Sequence, residues 1–389
     1  MKKVIVRGPV LTQSGYGVHS RQLAKWCLSK NDWDVKFQAL PWGDTPWIIN
    51  PKSHDGLIER IMKNTVDMGS GQQYDISLQL QLPNEWDSSL AKKNIGITAC
   101  VETDVCNPSW INCCNEMDAV VVPSVHSKGV FEKTGKVTKP LFVIPESFCE
   151  EIESFEQADV ATLPEFSTNF NFLIFGQITG DNPLNDRKNI FFTIKWLLEA
   201  FKDDKDVGIV VKTNTGRNTF IDKKRTVELL QTVVKECRIG DFPKIHVLHG
   251  DMPEKNVAAL YRHPQIKALV TLTRGEGFGL PILEAAASDL PVVATGWSGH
   301  TDFLGHGKYI NISYSLKNIH KSRIDGKIFF PQSQWAEAHE DDFKKKILKF
   351  RNSSATPKEW AKELGKIVRE KYSLSAIFSR YDETLKEFL

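Results

Sequence analysis

Two carboxylates eight residues apart, Glu276 and Glu284, flank a turn built to hold an anion. The stretch reads Arg274-Gly275-Glu276-Gly277-Phe278-Gly279-Leu280-Pro281-Ile282-Leu283-Glu284-Ala285. It follows the apolar run 266–272, which predicts a buried strand, and it leads into 282–287, which suits a helix. Gly275, Gly277 and Gly279 let the backbone approach a ligand closely, and Pro281 fits a first helical turn. Amides of such a turn have no partner inside the helix and attract an anion. An anion on the amides with hydroxyls on the two carboxylates describes a nucleotide sugar.

Strands and helices must position these groups, and the composition permits them. At roughly 150 residues per domain, 389 residues make two domains the economical count. A net charge of +2 predicts no strong non-specific attraction to nucleic acid or anionic lipid. No apolar run approaches the roughly 20 residues of a membrane span, so no integral membrane segment is expected. The start, Met1 to Arg7, reads as a first strand and not as a signal peptide. Seven scattered cysteines without a CxxC pair favour a reducing cytoplasm and indicate no zinc site. Among ten tryptophans, Trp42 and Trp47 fall in the loop 41–51, where they serve either packing or an aromatic platform for a sugar ring or base.

Residues 3–7 read as a strand, followed by a loop carrying Ser14-Gly15-Tyr16-Gly17 and a helix over 21–28. About seven residues separate the strand from Gly15, which does not fit a nicotinamide fingerprint; a glycine loop whose amides approach donor phosphates fits better. Asp32-Trp33-Asp34 matches the DxD of metal-dependent sugar transferases, but it sits where a solvated turn is expected, and no metal is assigned. Strands over 35–40, 74–80, 93–99, 119–122 and 141–144 alternate with helices over 56–68, 110–116 and 125–131. Glu102 and Asp104 follow a strand's carboxyl end, where open α/β sheets bind ligands. The pattern lapses over 150–168, a linker, and resumes at 170–175, 207–211, 245–248, 266–272 and 291–294. The expected fold is α/β, two Rossmann-like doubly wound domains facing across a cleft, with a helical C-terminal segment. Residues 1–160 form an acceptor domain and 161–371 a donor domain, and a helix over about 372–389 can pack back on the first.

Read together, these pieces resemble the retaining family 4 glycosyltransferases of the GT-B fold. The resemblance rests on Gly275 to Ala285, the glycine loop, Arg187-Lys188-Asn189, His249-Gly250, Pro291 to Thr295, and Ser298-Gly299 with Asp302, in the order that family uses. It implies that Glu276 contacts the donor sugar's hydroxyls and Glu284 the ribose. The amides of Phe278, Gly279 and Leu280 would hold the pyrophosphate. Lys188 and Arg187 would neutralise the charge that grows as the nucleoside diphosphate leaves, which favours the transition state over the ground state. Gly250, Asp251 and Met252 lie where base contacts are expected. No metal or other cofactor is implied. Two departures stand out. Gln177 occupies a position where the family often has arginine, with Lys212 nearby to compensate. Glu102 stands where many relatives have histidine and could act on the acceptor hydroxyl.

The expected activity is metal-independent transfer of a sugar from a nucleoside diphosphate sugar to a hydroxyl acceptor, with retention. The acceptor is a glycan or another hydroxyl compound, and a modified base in DNA remains among the alternatives. Trp42, Trp47 and Asp104 are its candidate contacts. The alternatives to transfer are an epimerase or phosphorylase of the same fold, and a non-catalytic sugar- or nucleic-acid-binding protein.

Overall fold

The computed structural model describes residues 1–67, 73–99, 101–180 and 182–389. They form two compact units: Met1–Val101 with Val105–Ser147 and Leu374–Leu389, and Glu102–Asp104 with Phe148–Ser373. In the first unit, β1 (Lys2–Gly8), β2 (Trp33–Ala39), β3 (Tyr74–Leu80), β4 (Ala91–Ile97), β5 (Ala119–Val122) and β6 (Leu141–Val143) make one parallel sheet in the order β2-β1-β3-β4-β5-β6. Parallel neighbours need crossovers, supplied by α1 (Gly15–Leu28), α2 (Leu57–Lys63), α3 (Ser109–Glu116) and α4 (Val125–Thr134). Val4, Val6, Leu78, Ile95 and Val121 meet Leu23, Trp26 and Ile58 in the core. That core also takes Ile377, Tyr381 and Leu385 from the end of the chain.

The second unit repeats the scheme. Its strands are β7 (Phe170–Phe175), β8 (Val207–Thr213), β9 (Lys244–His249), β10 (Ile266–Thr271), β11 (Val292–Thr295) and β12 (Ile310–Ile312), parallel in the order β12-β11-β10-β7-β8-β9. One face packs against α5 (Ile190–Ala200), α6 (Phe220–Cys237) and the later helix α10 (Glu340–Asn352). The other face packs against α7 (Glu254–Tyr261), α8 (Leu280–Ala287), α9 (Thr301–Leu304) and α11 (Ala355–Tyr372). Covered on both faces, β8 is buried along its whole length, which is why Val207 to Val211 reads as continuously apolar. An antiparallel hairpin, β13 (Tyr314–Asn318) with β14 (Gln334–Ala338), precedes α10. The last helix, α12 (Leu374–Thr384), belongs to the first unit.

Several boundaries differ from expectation for identifiable reasons. The glycine stretch 15–17 is not a loop: Ser14 caps α1 by accepting from the Gly17 amide at 2.9 Å, so the helix starts at Gly15. The helix expected over 56–68 ends at Lys63, and Met68 lies outside the described residues. Asp181, within the polar loop before Lys188, also lies outside them. The lapse at 150–168 contains two 3-10 turns, Glu150–Ile152 and Gln157–Thr162, within the second unit. The hairpin was not anticipated. Its strands mix polar and apolar residues, and Trp335 buries against Phe329 and Ile319 in a small cluster of its own.

Candidate active site

In the second sheet the chain runs from β7 outward to β9, then returns to β10 on the other side of β7. The carboxyl ends of β7 and β10 therefore form the switch point at which such sheets bind ligands. The stretch from Thr273 to Gly279 leaves β10 there. Gly279 adopts φ +104, a conformation L side chains rarely take, and this turn starts α8 with Pro281 in the first turn. Ile282 and Leu283 donate back to the Gly279 carbonyl. Among the described residues the amides of Phe278, Gly279 and Leu280 donate no hydrogen bond. These three sit at the positive end of the helix.

Glu276 is buried beside this turn and held from all sides. Lys188 Nζ donates to both its oxygens, at 2.7 and 2.8 Å, and Thr273 Oγ1 donates to Oε1 at 2.8 Å. Arg187 Nη1 stands 3.2 Å from Oε2 and donates to the Gly275 carbonyl at 2.6 Å. Burial alone would favour the neutral acid. The Lys188 and Arg187 charges outweigh it and hold the carboxyl down at about 2, so Glu276 accepts hydrogen bonds at any physiological pH. Its backbone is fixed as well: the Glu276 amide donates to Ser298 Oγ at 2.9 Å, and that hydroxyl lies 3.3 Å from His300 Nδ1. His300 Nε2 lies 2.7 Å from the Thr295 carbonyl, which makes it the donor nitrogen and Nδ1 the acceptor. His300 carried no sequence signal, because only the fold brings the loop after β11 to Glu276, and Thr273, three residues before Glu276, is a residue type that strand ends carry for many reasons.

Glu102 joins the same cluster, in the second unit. Its Oε2 is 2.8 Å from Arg187 Nε, and burial raises its pKa more than the Arg187 charge lowers it. Asp104 is tied to the hairpin. Its Oδ1 accepts from the Gln334 amide at 2.6 Å and its own amide donates to the Gln334 carbonyl at 2.9 Å, so it pairs with the start of β14. Arg274 is fully buried between this hairpin and the loop before α5. It donates to Glu337 at 2.7 and 3.1 Å and to the carbonyls of Pro183 and Asp186 at 2.9 and 2.6 Å.

Glu284, one turn into α8, accepts from Tyr261 Oη at 3.1 Å. Burial lifts its pKa to about 8, with the Tyr261 hydrogen bond opposing, so it is a neutral acid at pH 7 and can both donate and accept. Tyr261 stacks on Phe175 at the end of β7 with ring centroids 5.7 Å apart. Beyond β9, Gly250 turns at φ +98; Asp251 is exposed, and Met252 packs against the cluster around α8. Lys212 is buried at the end of β8, where its Nζ donates to the Gly250 carbonyl at 2.6 Å.

The remaining expected residues lie in the first unit. Gly15 and Gly17 open α1. The Gly17 amide is taken by the Ser14 cap, and a side chain there would collide with the Thr12 carbonyl, so Gly17 serves close packing. Trp42 stacks on Tyr16 at 3.8 Å with planes 15° apart, and Trp47 is 42% exposed next to a bridge with Thr12. Tyr16 Oη is anchored 3.0 Å from Thr98 Oγ1. Asp34 pairs with Lys36 at 3.0 Å. Among the described residues no cluster of three His, Cys, Asp or Glu side chains could hold a metal, and no helix is long and apolar enough to cross a membrane.

Residues 193–323, which contain Lys212, Glu276 and Glu284, match the family model described as Glycosyl transferases group 1. A comparison with curated proteins gives no match. Among solved structures, the fold resembles sucrose-phosphate synthase from Thermosynechococcus elongatus, with a TM-score of 0.65 and 13% identity, covering 100% of this chain and 99% of that one. It also resembles HepE from Anabaena, solved with UDP and glucose, with a TM-score of 0.64 and 14% identity over 100% of both chains. The pneumococcal O-GlcNAc transferase GtfA, in complex with UDP and GlcNAc, matches at a TM-score of 0.51 and 13% identity, covering 81% of this chain and 57% of that one. At these identities the structural likeness speaks to the fold.

Proposed function

We propose that this chain is a glycosyltransferase with the GT-B fold that transfers a hexose from a UDP-sugar with retention of configuration. The observation that carries the reading is the ionised, buried Glu276 held by Lys188 and Arg187 beside the amides that open α8. An anionic carboxylate accepts from sugar hydroxyls, and the three amides with the helix end hold a diphosphate. Glu284, eight residues on, meets the ribose diol. UDP is the donor nucleotide favoured, because HepE and GtfA were both solved with it.

In the reaction the bond from the anomeric carbon to the diphosphate oxygen breaks, and negative charge collects on the leaving group. Lys188, Arg187 and the amides are already in place to receive it, which lowers the barrier without rearrangement. The acceptor oxygen forms the new bond on the same face, and its proton passes to the departing phosphate oxygen. No enzyme nucleophile takes part. Glu102 stays beside Arg187, and Trp42 with Trp47 offers a stacking face to a glycan acceptor.

Substituting Glu276→Gln keeps the side-chain volume and removes the anion. Transfer measured by UDP release is expected to fall at least about 100-fold, the scale of one lost electrostatic contact at a reacting centre, while UDP still binds. Turnover at the native rate would overturn the assignment. Release of UDP with interconversion of the sugar and no acceptor product would favour the epimerase instead.

A further inference from the structure

The cations of the donor site are not equally available. Lys188 gives two of its hydrogen bonds to Glu276, and Arg187 is divided between Glu102, Glu276 and the Gly275 carbonyl. Gln177, which follows β7 at the switch point, is exposed and uncharged. Lys212 differs from all three. It is 6% exposed, yet among the described residues its ammonium makes one hydrogen bond, to the Gly250 carbonyl, and no carboxylate stands within ion-pair distance. Asp251 acts on it from farther away, and the ring of Phe175 lies 5.4 Å beneath it. A buried ammonium with three donors and one neutral acceptor lacks the partners that burial normally requires.

Its place in the sheet says what that partner is. Lys212 is in register with Phe175, and its carbonyl accepts from the Gly176 amide at 3.1 Å. A side chain at 176 would lie 3.6 Å from the stem of Lys188, so Gly176 touches the Lys188 stem as well as the Lys212 backbone. Phe175 in turn stacks on Tyr261, which holds Glu284. Lys212 thus stands among the groups given above to the diphosphate and the ribose.

We propose that Lys212 is a further donor-diphosphate cation, adding from β8 to the charge of Lys188 and Arg187 where the β7 loop carries the uncharged Gln177. The proposal rests on the donor site described under the proposed function. The Gly250 carbonyl orients the ammonium and leaves two of its donors for phosphate oxygens.

The test is calorimetric titration of the full chain with UDP and with uridine, which share a base and ribose and differ in the diphosphate. Lys212→Met keeps the stem and removes the charge. A charge-assisted hydrogen bond carries about 10- to 100-fold in affinity, so UDP binding is expected to weaken by that factor while uridine binding changes less than about threefold. Adding Gln177→Arg to Lys212→Met is expected to recover part of the UDP loss and none for uridine. Lys212→Gln, which keeps a donor for Gly250, repeats the comparison should the methionine variant fail to fold. Equal weakening of UDP and uridine would overturn the proposal by assigning Lys212 to the base loop, and so would unchanged UDP affinity. Wild-type protein that binds no UDP would instead remove the donor reading itself.

Discussion

Glu276 in the turn and Glu284 in the helix it opens have opposite protonation states, and desolvation acts on both. What separates them is company: Glu276 has Lys188 and Arg187, Glu284 has the neutral hydroxyl of Tyr261. The consequence for stability has a definite sign. Glu284 holds its proton to about 8 in the fold, against 4.5 for a freely exposed glutamate. Its contribution is therefore complete below pH 4.5 and is lost as pH rises through 8. Glu276 behaves inversely, with stability complete above 4.5 and lost as pH falls towards 2. Glu284→Gln should flatten the fall of melting temperature between those two limits for Glu284, as read by calorimetry across a pH series. An unchanged slope would mean that another group titrates there. At this scale the sequence was legible for the charged members, because a glycine-rich turn with paired glutamates has few other uses. It was silent on Tyr261, Thr273 and His300. Their side chains are ordinary core and loop types: Tyr261 reaches the motif through the return of the chain from β9 to β10 and His300 through the loop after β11, while Thr273 adjoins it in sequence as a common residue type.

The turn before α8 is held by the hairpin as much as by its own strand. The Ala336 amide of β14 donates to the Arg274 carbonyl at 2.9 Å, and Glu337 pairs with the Arg274 guanidinium. Arg274 also lies over the ring of Trp335, 5.1 Å from its centroid. Removing one partner of such a pair leaves an uncompensated buried charge, which costs about 3–5 kcal/mol when the pair is fully buried. Glu337 is 26% exposed at its side chain, so the lower end of that range applies. Glu337→Ala should lower the melting temperature and reduce turnover together, since the Arg274 backbone leads straight into Gly275 and Glu276. Lowered stability with native turnover would show that the hairpin does not position the motif. Regular strands and helices were legible because their apolar periods are long. The hairpin was not, because its short strands bury one small cluster and carry no period of their own. The start of α1 was missed for another reason: glycines invite a loop reading, and the Ser14 cap that makes Gly15 to Gly17 helical is a contact of one hydroxyl.

On the scale of the whole chain, two doubly wound sheets were foreseeable from alternation alone, but the path between them was not. The chain passes from one unit to the other at 101/102, 104/105, 147/148 and 373/374. The last passage brings α12 onto the first sheet's core, where Tyr381 stacks on Trp26 at 4.8 Å and Asp382 accepts from Trp26 Nε1 at 3.0 Å. A fragment of residues 1–147 leaves Leu23, Trp26 and Ile58 without that cover. It should lack a cooperative thermal transition and bind a hydrophobic dye, and adding a peptide of residues 374–389 should restore the transition. A fragment that melts cooperatively on its own would show α12 to be dispensable.

The same return of α12 sets an order of events during synthesis. Residues 374–389 leave the ribosome after 148–373, so the unit encoded first must wait, unsealed, while the unit encoded second already has all its residues. The second unit is thus expected to reach its native state before the one that precedes it. Nascent chains arrested between these points should present a protease-resistant second unit and a cleavable first one.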